Sequence, residues 1–323
     1  TLQFNLSTGL LFKIRSEAVM KITGLHILLT NQCSLECDHC FVWGGPHQEG
    51  TLNLQQVDRI LDQAKQAGTV DSIYFEGGEP FLYYPILLEA VRNAAGLGFQ
   101  VGLVSNGYWA IGLRDALSWL RPFAGLVSDL SISSDLFHWS EKLSSKARIA
   151  CQAAEQLGIP TGVIQVAQPG AEAGSGLGQL LPGESSVMYR GRAAEKLAGR
   201  VPGQPWDRFT ACPHENLREP DRLHVDPFGN LHVCQGIVLG NIFNESLSDI
   251  CSGYRPDWHP ITGPLLAYGP VELVRRYKLP HQERYADACH LCYTARQALR
   301  LRFPGILGPD QMYGGKSCEM VVG

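Results

Sequence analysis

The sequence lacks a strong net charge and a long hydrophobic run. Its 323 residues carry 27 lysines and arginines against 31 aspartates and glutamates, a formal net charge of −4. A chain with this balance has little to attract it to nucleic acid or to a membrane surface. No apolar stretch approaches the roughly 20 residues of a membrane-spanning helix, and no secretory signal pattern is present. These absences predict a cytoplasmic protein with no membrane partner and no nucleic-acid partner.

Ten cysteines stand out against this composition. Small secreted proteins use cysteines for disulfide frameworks, but this chain is too long for that class to be attractive. With 45% hydrophobic residues it can bury a sizeable core, enough for a large catalytic domain and a small second one. In such a chain, clustered cysteines are more often metal ligands.

The first cysteine cluster follows the apolar run Leu25–Leu29 and contains Cys33, Cys37 and Cys40. Three thiolates at this spacing can hold one face of an iron–sulfur cube, whose irons favour cysteine sulfur. Because a cube has four irons, three ligands leave one iron open to a small molecule. The alternative is structural zinc, which needs a fourth ligand, and His39 is the only adjacent candidate.

Strands and helices alternate along the first two thirds of the chain. Strands are predicted at Ile22–Leu29, Ser72–Phe75, Gln100–Val104, Leu126–Ser133, Thr161–Ala167 and Ser186–Tyr189, and helices from Leu54 to near Gly68, at Ile86–Ala95, at Leu113–Leu120 and at Lys142–Leu157. Such alternation predicts an α/β fold with parallel strands and right-handed crossovers. The count is about six units, short of the eight of a closed TIM barrel.

Polar motifs follow three of these strands. Gly77-Gly78-Glu79-Pro80 comes directly after the second strand, Ser105-Asn106 after the third, and Ser131–His138 after the fourth. Paired glycines let backbone approach a ligand closely, and hydroxyl and amide groups suit a diol ligand. At each position the alternative is an ordinary turn.

The cysteine loop with the aromatic Phe41 behind it and the Gly-Gly-Glu-Pro turn together resemble the signature of the radical S-adenosylmethionine (SAM) superfamily. The resemblance implies a partial (β/α)6 barrel over residues 21–192. It implies a [4Fe–4S] cluster on the three cysteines, with SAM on the open iron. It also implies reductive cleavage of SAM to a 5′-deoxyadenosyl radical, which abstracts a hydrogen atom from a substrate.

The same resemblance implies the residues that bind SAM. Gly77, Gly78 and Glu79 would contact its amino group, Ser105 and Asn106 its ribose, and Ser133 its carboxylate. From the residues themselves, Arg148 could pair with the carboxylate or be a solvated helix arginine. Gln165 could face the adenine or the substrate. No side chain is assigned as a catalytic acid, base or second radical.

A second set consists of Cys212, Cys234, Cys289 and Cys292. Residues Leu223–Cys234 read as a hairpin. The set resembles the SPASM or twitch extension of radical SAM enzymes, which implies a small domain over residues 193–323. A further cysteine run of full SPASM domains is absent after Cys292, so one auxiliary [4Fe–4S] cluster is implied, which accepts an electron or binds substrate. Zinc is the alternative.

Some assignments stay open at this stage. Residues 1–20 read as a native leader or a vector-derived segment, Cys151 as a core residue, and Cys251 and Cys318 have no assigned role. The implied partners are a small polar molecule or a peptide as substrate and an electron donor such as flavodoxin or ferredoxin. The alternatives are a non-catalytic iron–sulfur carrier and a radical SAM enzyme that modifies a ribosomal peptide.

Overall fold

A computed structural model describes residues 20–170 and 184–315, and one large sheet forms its centre. The strands of this sheet are β1 (Gly24–Thr30), β2 (Ser72–Gly77), β3 (Gln100–Ser105), β4 (Asp129–Ser133), β5 (Thr161–Val166), β6 (Glu184–Ser185), β8 (Arg222–Val225), β9 (Asn230–Cys234) and β10 (Ile237–Asn241). They lie in the order β10-β9-β8-β1-β2-β3-β4-β5-β6. A separate pair is formed by β7 (Gln204–Pro205) and β11 (Arg284–Tyr285).

Strands β1 to β6 lie side by side in chain order, and every neighbouring pair among them is parallel. The crossovers between the first five contain the helices α1 (Leu54–Ala67), α2 (Tyr84–Gly96), α3 (Leu113–Leu120) and α4 (Ser145–Gln156). Their apolar faces are buried, as in Val57, Ile60 and Leu61 of α1. The predicted α/β fold with a parallel sheet of about six units is therefore confirmed.

Several predicted element boundaries differ from the structure. Helix α4 begins at Ser145 rather than Lys142, because the side chain of Ser144 accepts a hydrogen bond from the backbone of Ala147 and caps the helix there. Strand β4 begins at Asp129, since the preceding residues form a turn. The sixth strand lies at Glu184–Ser185, just before the predicted residues.

The predicted hairpin is present as β8 and β9, and it does not stand apart from the barrel sheet. Strand β8 pairs with β1 in parallel, whereas β9 and β10 continue the sheet as antiparallel strands. The sheet thus crosses the predicted boundary between residues 192 and 193. The following helices are α5 (Arg192–Lys196), α6 (Leu247–Gly253), α7 (Thr262–Tyr277, kinked at Tyr268 and Gly269) and α8 (Ala288–Leu299).

The segment 1–20, apart from Met20, lies outside the described residues, as does Cys318. Within the described ranges, none of the helices has both the length and the apolar character needed to cross a membrane. The sheet is open, because β6 and β10 are its two edges. Strands β1 to β6 and β8 nevertheless contribute residues to the walls of one cavity, which places the functional residues on its inner face.

Candidate functional site

The loop after β1 carries the first three cysteines at the mouth of the central cavity. Cys33, Cys37 and Cys40 all line it. Backbone N–H groups point at two of the sulfurs: Gly44 donates to Sγ of Cys40 at 3.2 Å and Leu35 donates to Sγ of Cys33 at 3.5 Å. Such donors stabilise negative charge on sulfur, as an iron–sulfur site requires.

Arg192 holds the cysteine loop in place through hydrogen bonds to the loop backbone. Its buried guanidinium donates to the carbonyl oxygen of Cys37 at 2.7 Å and to that of Gly44 at 2.8 Å, and its backbone N–H donates to Cys40 O at 2.9 Å. The preceding Gly191 has φ +60°, and a Cβ there would lie 2.5 Å from Cα of Phe41. The sequence analysis gave Arg192 only as the last residue of the barrel and missed this contact.

Gly77 and Gly78 pack directly against the start of the cysteine loop. The N–H of Gly78 donates to Thr30 O at 2.7 Å, and a Cβ on Gly78 would lie 2.1 Å from Gln32 O. Gly77 has φ +142°, in a region that side chains rarely adopt. Both glycines line the cavity, so the turn exposes backbone there rather than side chains.

The side chain of Glu79 is fully buried and engaged with the protein. Its carboxylate accepts hydrogen bonds from the N–H of Phe81, the hydroxyl of Ser105 and the N–H of Asn106, at 2.7 to 3.1 Å. Burial raises the pKa of this carboxyl to about 7, although the three hydrogen bonds lower it. Glu79 therefore joins the turns after β2 and β3 and does not line the cavity.

Ser105 and Asn106 reach the cavity wall from the end of β3. The hydroxyl of Ser105 also accepts hydrogen bonds from the N–H of Gly107 and from Nε1 of Trp109, so it is saturated. The amide of Asn106 instead points towards the cysteine loop, with Nδ2 at 3.6 Å from Sγ of Cys33. Of this pair, Asn106 has the side chain oriented towards the first cysteine set.

The structure separates the neighbouring serines after β4. Ser133 lines the cavity, whereas Ser134 is buried against Ser144 at the start of α4. The predicted choice of Ser133 as the ligand-facing serine thus falls on the residue at the cavity wall.

Besides the buried Glu79, the predicted cofactor residues Arg148 and Gln165 lie away from this cavity. Arg148 is exposed and donates to Leu143 O and to the carboxylate of Glu141. Gln165 donates from Nε2 to Lys142 O at the surface. The physical reason is side-chain direction: α4 turns its alanine face inward, and successive residues of β5 alternate between the sheet faces.

The cavity has a volume of about 680 Å³. One wall carries the cysteine loop, the Gly-Gly turn and Asn106, and another carries a polar cluster on the inner face of β1, β2 and β8. That cluster consists of His26, Glu76 and His224. A space of this size suits a drug-sized molecule, since ligand cavities are usually about 300 to 1,000 Å³.

The protonation states of the cluster follow from its surroundings. Burial lowers the pKa of His224 to about 3, so its imidazole is neutral. Burial raises the pKa of Glu76, but the hydrogen bond from His26, together with its neighbours His224 and Arg222, outweighs this effect and holds the pKa below its ordinary value. The sequence analysis assigned no role to either histidine, although His26 interrupts the apolar run Leu25–Leu29.

The second cysteine set lines a small separate cavity beside the hairpin. Cys234 ends β9, Cys289 and Cys292 lie in the first turn of α8, and Cys212 approaches from the preceding loop. The carboxylate of Asp287 accepts a hydrogen bond from the N–H of His290 and fixes where α8 begins. The structure therefore brings together four thiols that lie up to 80 residues apart in the chain.

The chemistry of both thiol sets fits iron–sulfur clusters. Burial raises the pKa of Cys33 to about 12 and that of Cys292 to about 12, and it raises those of Cys37, Cys212 and Cys289 as well. A cation is needed to hold such buried sulfurs as thiolates, because isolated charges are costly to bury. Cys151 and Cys251 line neither cavity.

Arg190 and Glu215 line both cavities and form part of the wall between them. Nη1 of Arg190 donates to Sγ of Cys234 and to Oε1 of Glu215, and the guanidinium lies over the ring of Phe41. Arg296 lies on the other side of the second set and donates to Gln235 O. Two buried cations thus face the second set of cysteines.

Part of the chain is similar in sequence to known proteins. Residues 27–135 match the family model described as the Radical SAM superfamily. The chain is 28% identical over 113 residues to the putative peptide biosynthesis protein YydG of Bacillus subtilis, which covers 35% of each chain. It is 37% identical over 83 residues to an S-adenosylmethionine-dependent nucleotide dehydratase of Selenomonas ruminantium, covering 26% of this chain and 28% of that protein.

Among solved structures, Streptococcus suis SuiB bound to its precursor peptide SuiA superposes with a TM-score of 0.52 at 14% identity. The superposition covers 84% of this chain and 76% of that chain. This similarity concerns the fold alone. The chain spans about a third of the length of the curated relatives that it matches.

Proposed function

We propose, from the membership of residues 27–135 in the radical SAM superfamily, that this protein is an enzyme that cleaves SAM reductively and abstracts a hydrogen atom from a substrate. The assignment to this superfamily made from the sequence is confirmed. Its domain uses a [4Fe–4S] cluster and SAM as cofactors. When bound, the cluster supplies the electron that cleaves the sulfonium of SAM and generates the 5′-deoxyadenosyl radical.

One observation carries the proposal: Cys33, Cys37 and Cys40 share a single large cavity with the Gly-Gly turn and Asn106. The second cysteine set has its own cavity, so the first site has three protein sulfurs and room beside them. A plain electron carrier needs four ligands and no cavity next to them. Three ligands with an adjoining cavity of about 680 Å³ suit a cluster that binds a small molecule.

We assign roles to the residues on the same basis. Cys33, Cys37 and Cys40 hold the cluster, and Arg192 keeps their loop in place. The backbone of Gly77 and Gly78 binds the amino group of SAM, while the other polar residues at this end of the cavity contact the rest of the cofactor. These residues are Asn106 and Ser133.

For the second set we propose one auxiliary [4Fe–4S] cluster held by all four thiolates, in a twitch-type domain over residues 193–323. Buried Arg190 and Arg296 beside it offset part of its negative charge. Since the wall between the cavities is shared, such a cluster can accept an electron from a radical in the large cavity. The barrel then corresponds to residues 21–192, with the hairpin extending its sheet.

The substrate that we propose is a peptide side chain or a small polar molecule. The cavity wall opposite the cysteine loop carries His26, Glu76, Asp129, Ser131 and Arg222, which can hydrogen-bond a polar group. One relative, 28% identical over 113 residues, is named as a putative peptide biosynthesis protein, which supports a peptide substrate. A cytoplasmic flavodoxin or ferredoxin would supply the electron.

The test is anaerobic SAM cleavage by protein reconstituted with iron and sulfide and reduced with dithionite. The wild type should form 5′-deoxyadenosine, and Cys37→Ala should form none while keeping about half of the iron in its second site. Cys151→Ala is the matched control, because this thiol lines neither cavity. It should cleave SAM like the wild type.

Cys289→Ala separates the two sites. It should retain part of the SAM cleavage but form no substrate-derived product. Cleavage by Cys37→Ala at the wild-type rate would overturn the assignment of the first site. Iron without any 5′-deoxyadenosine would indicate an electron carrier instead, and zinc in place of iron would indicate a structural metal protein.

A further inference from the structure

Three potential ligands lie together on the inner face of the sheet, away from either cysteine set. His26 on β1 pairs directly with His224 on β8, so both side chains lie on the same face. His26 also pairs with Tyr74 on β2, and Glu76, two residues further along, shares the face of Tyr74. The register of three strands therefore brings the two imidazoles and the carboxylate together at the cavity wall.

The distances between these side chains are short enough for them to share an ion. Nδ1 of His26 is hydrogen-bonded to Oε2 of Glu76 at 3.3 Å, and Nε2 of His224 lies 3.4 Å from Oε1. Ligands about 2.1 Å from a shared ion lie roughly 3.0 to 3.5 Å apart, which the two measured distances match. One ligand atom from each of the three residues lies within 4.8 Å of the others.

The carboxylate of Glu76 also has an incomplete set of partners. Its Oε1 is buried and has no hydrogen-bond donor within hydrogen-bonding geometry among the described residues. A buried carboxylate oxygen without a donor is costly unless a cation faces it. Nε2 of His224 lies 3.4 Å from this oxygen, outside hydrogen-bonding geometry. A bound ion would satisfy this oxygen and both ring nitrogens at once.

We propose that His26, Glu76 and His224 form a binding site for a single divalent transition-metal ion that opens into the large cavity. Two imidazoles and one carboxylate suit ions such as Fe²⁺ or Zn²⁺, whereas Ca²⁺ and Mg²⁺ prefer oxygen ligands only. The ring of His26 is held in place by stacking on Tyr74, with ring centroids 4.8 Å apart. The remaining coordination positions face the cavity and would take oxygen or nitrogen atoms of a substrate.

This site goes beyond the proposed SAM chemistry and does not depend on it. The probe is Co²⁺, added anaerobically to protein whose cysteine sites are already filled with iron–sulfur clusters. We expect saturable binding of about one ion per chain, with cobalt d–d absorption and no thiolate charge-transfer band. That spectrum separates a nitrogen and oxygen site from cobalt captured by cysteine.

Glu76→Gln and, independently, His224→Asn should weaken Co²⁺ binding by about tenfold or more. His281→Asn, at an exposed histidine, should bind like the wild type. Retained iron and an unchanged circular dichroism spectrum exclude misfolding of each variant. Absence of saturable binding in the wild type, or equal binding in all three variants, would show that the cluster is a polar group without an ion and would overturn the proposal.

Discussion

The guanidinium of Arg190 donates a hydrogen bond from Nη1 to Sγ of Cys234 at 3.2 Å. The arginine is buried, and its Nε has no hydrogen-bond partner among the described residues. Burial lowers its pKa, but Cys234, Cys289 and Glu215 raise the pKa above its ordinary value, so it is a permanent cation. It therefore connects the second cysteine set with the large cavity, whose wall it also lines.

Replacing Arg190 by Met should make the auxiliary cluster harder to reduce. Loss of a positive charge a few ångströms from the cluster disfavours the added electron by about 2 kcal/mol, or roughly 80 mV for a one-electron couple. Redox titration followed by electron paramagnetic resonance measures the change. Arg190→Lys, which keeps the charge, should stay near the wild type, and identical potentials in all three proteins would contradict the prediction.

Gly191→Ala should displace the cysteine loop. A Cβ at this position would lie 2.5 Å from Cα of Phe41 and 2.7 Å from Cys40 O, and φ is +60°. We expect the free energy of unfolding to fall by about 3 kcal/mol or more, and iron to be lost from the first site. Gly199→Ala is the control, because nothing lies within 4 Å of its Cβ position. Iron analysis and thermal unfolding would distinguish the variants, and equal iron in both would refute this account.

Asp226→Ala should disturb the second cysteine site through the hairpin turn. The buried carboxylate accepts hydrogen bonds from the N–H of Phe228, from the N–H and Nδ2 of Asn230 and from Nε2 of His232. Removing it leaves these donors unpaired at a cost of about 3 kcal/mol and shifts β9, which carries Cys234. Exposed Asp221→Ala should change stability by less than about 0.5 kcal/mol. If Asp226→Ala had the same iron content as the wild type, the hairpin turn would not support the second cysteine site.

Glu79 should make stability depend on pH. Its pKa rises from 4.5 in the unfolded chain to about 7 in the fold, so the folded protein binds the proton more tightly. The resulting stabilisation is complete below pH 4.5 and is lost as pH rises towards and through 7, by about 3 kcal/mol in all.

Glu79→Gln tests this prediction because it cannot titrate. The thermal unfolding midpoint of the wild type should fall relative to that of the variant between pH 5 and pH 8, measured on anaerobic, cluster-loaded protein. The variant should also be less stable at pH 5, since one amide N–H then faces a donor. If the unfolding midpoints of the wild type and the variant changed in parallel between pH 5 and pH 8, the carboxyl of Glu79 would be ionised over this whole range, contrary to the prediction.

Much of the barrel could be predicted because its signals are local. The cap at Asn53 and the glycine at Gly68 mark the ends of α1, and apolar periodicity marks its buried face. A predicted boundary was wrong where a side chain caps the backbone of a helix, as Ser144 does at the start of α4. The short β6 could not be placed to the residue, because a two-residue strand has no periodicity.

The positions of the candidate site residues were predictable where backbone or loop spacing fixes them and not where side-chain direction does. Cys33, Gly78 and Asn106 follow strands directly, so their strand ends bring them to one edge. Arg148 and Gln165 were placed by proximity in sequence, and the face that each presents depends on packing. Arg192 was missed because its contact with the cysteine loop spans about 150 residues.

The sequence alone determined the alternation of strands and helices, the two cysteine sets and the turn chemistry after each strand, because these depend on neighbours within a few residues. Tertiary structure decided that β8 pairs with β1, that His26, Glu76 and His224 meet, and that Arg190 separates two cavities. Those outcomes depend on strand register and on packing between segments that are distant in the chain. Many strand pairings are compatible with the same local sequence pattern, and only the packing of the complete fold distinguishes between them.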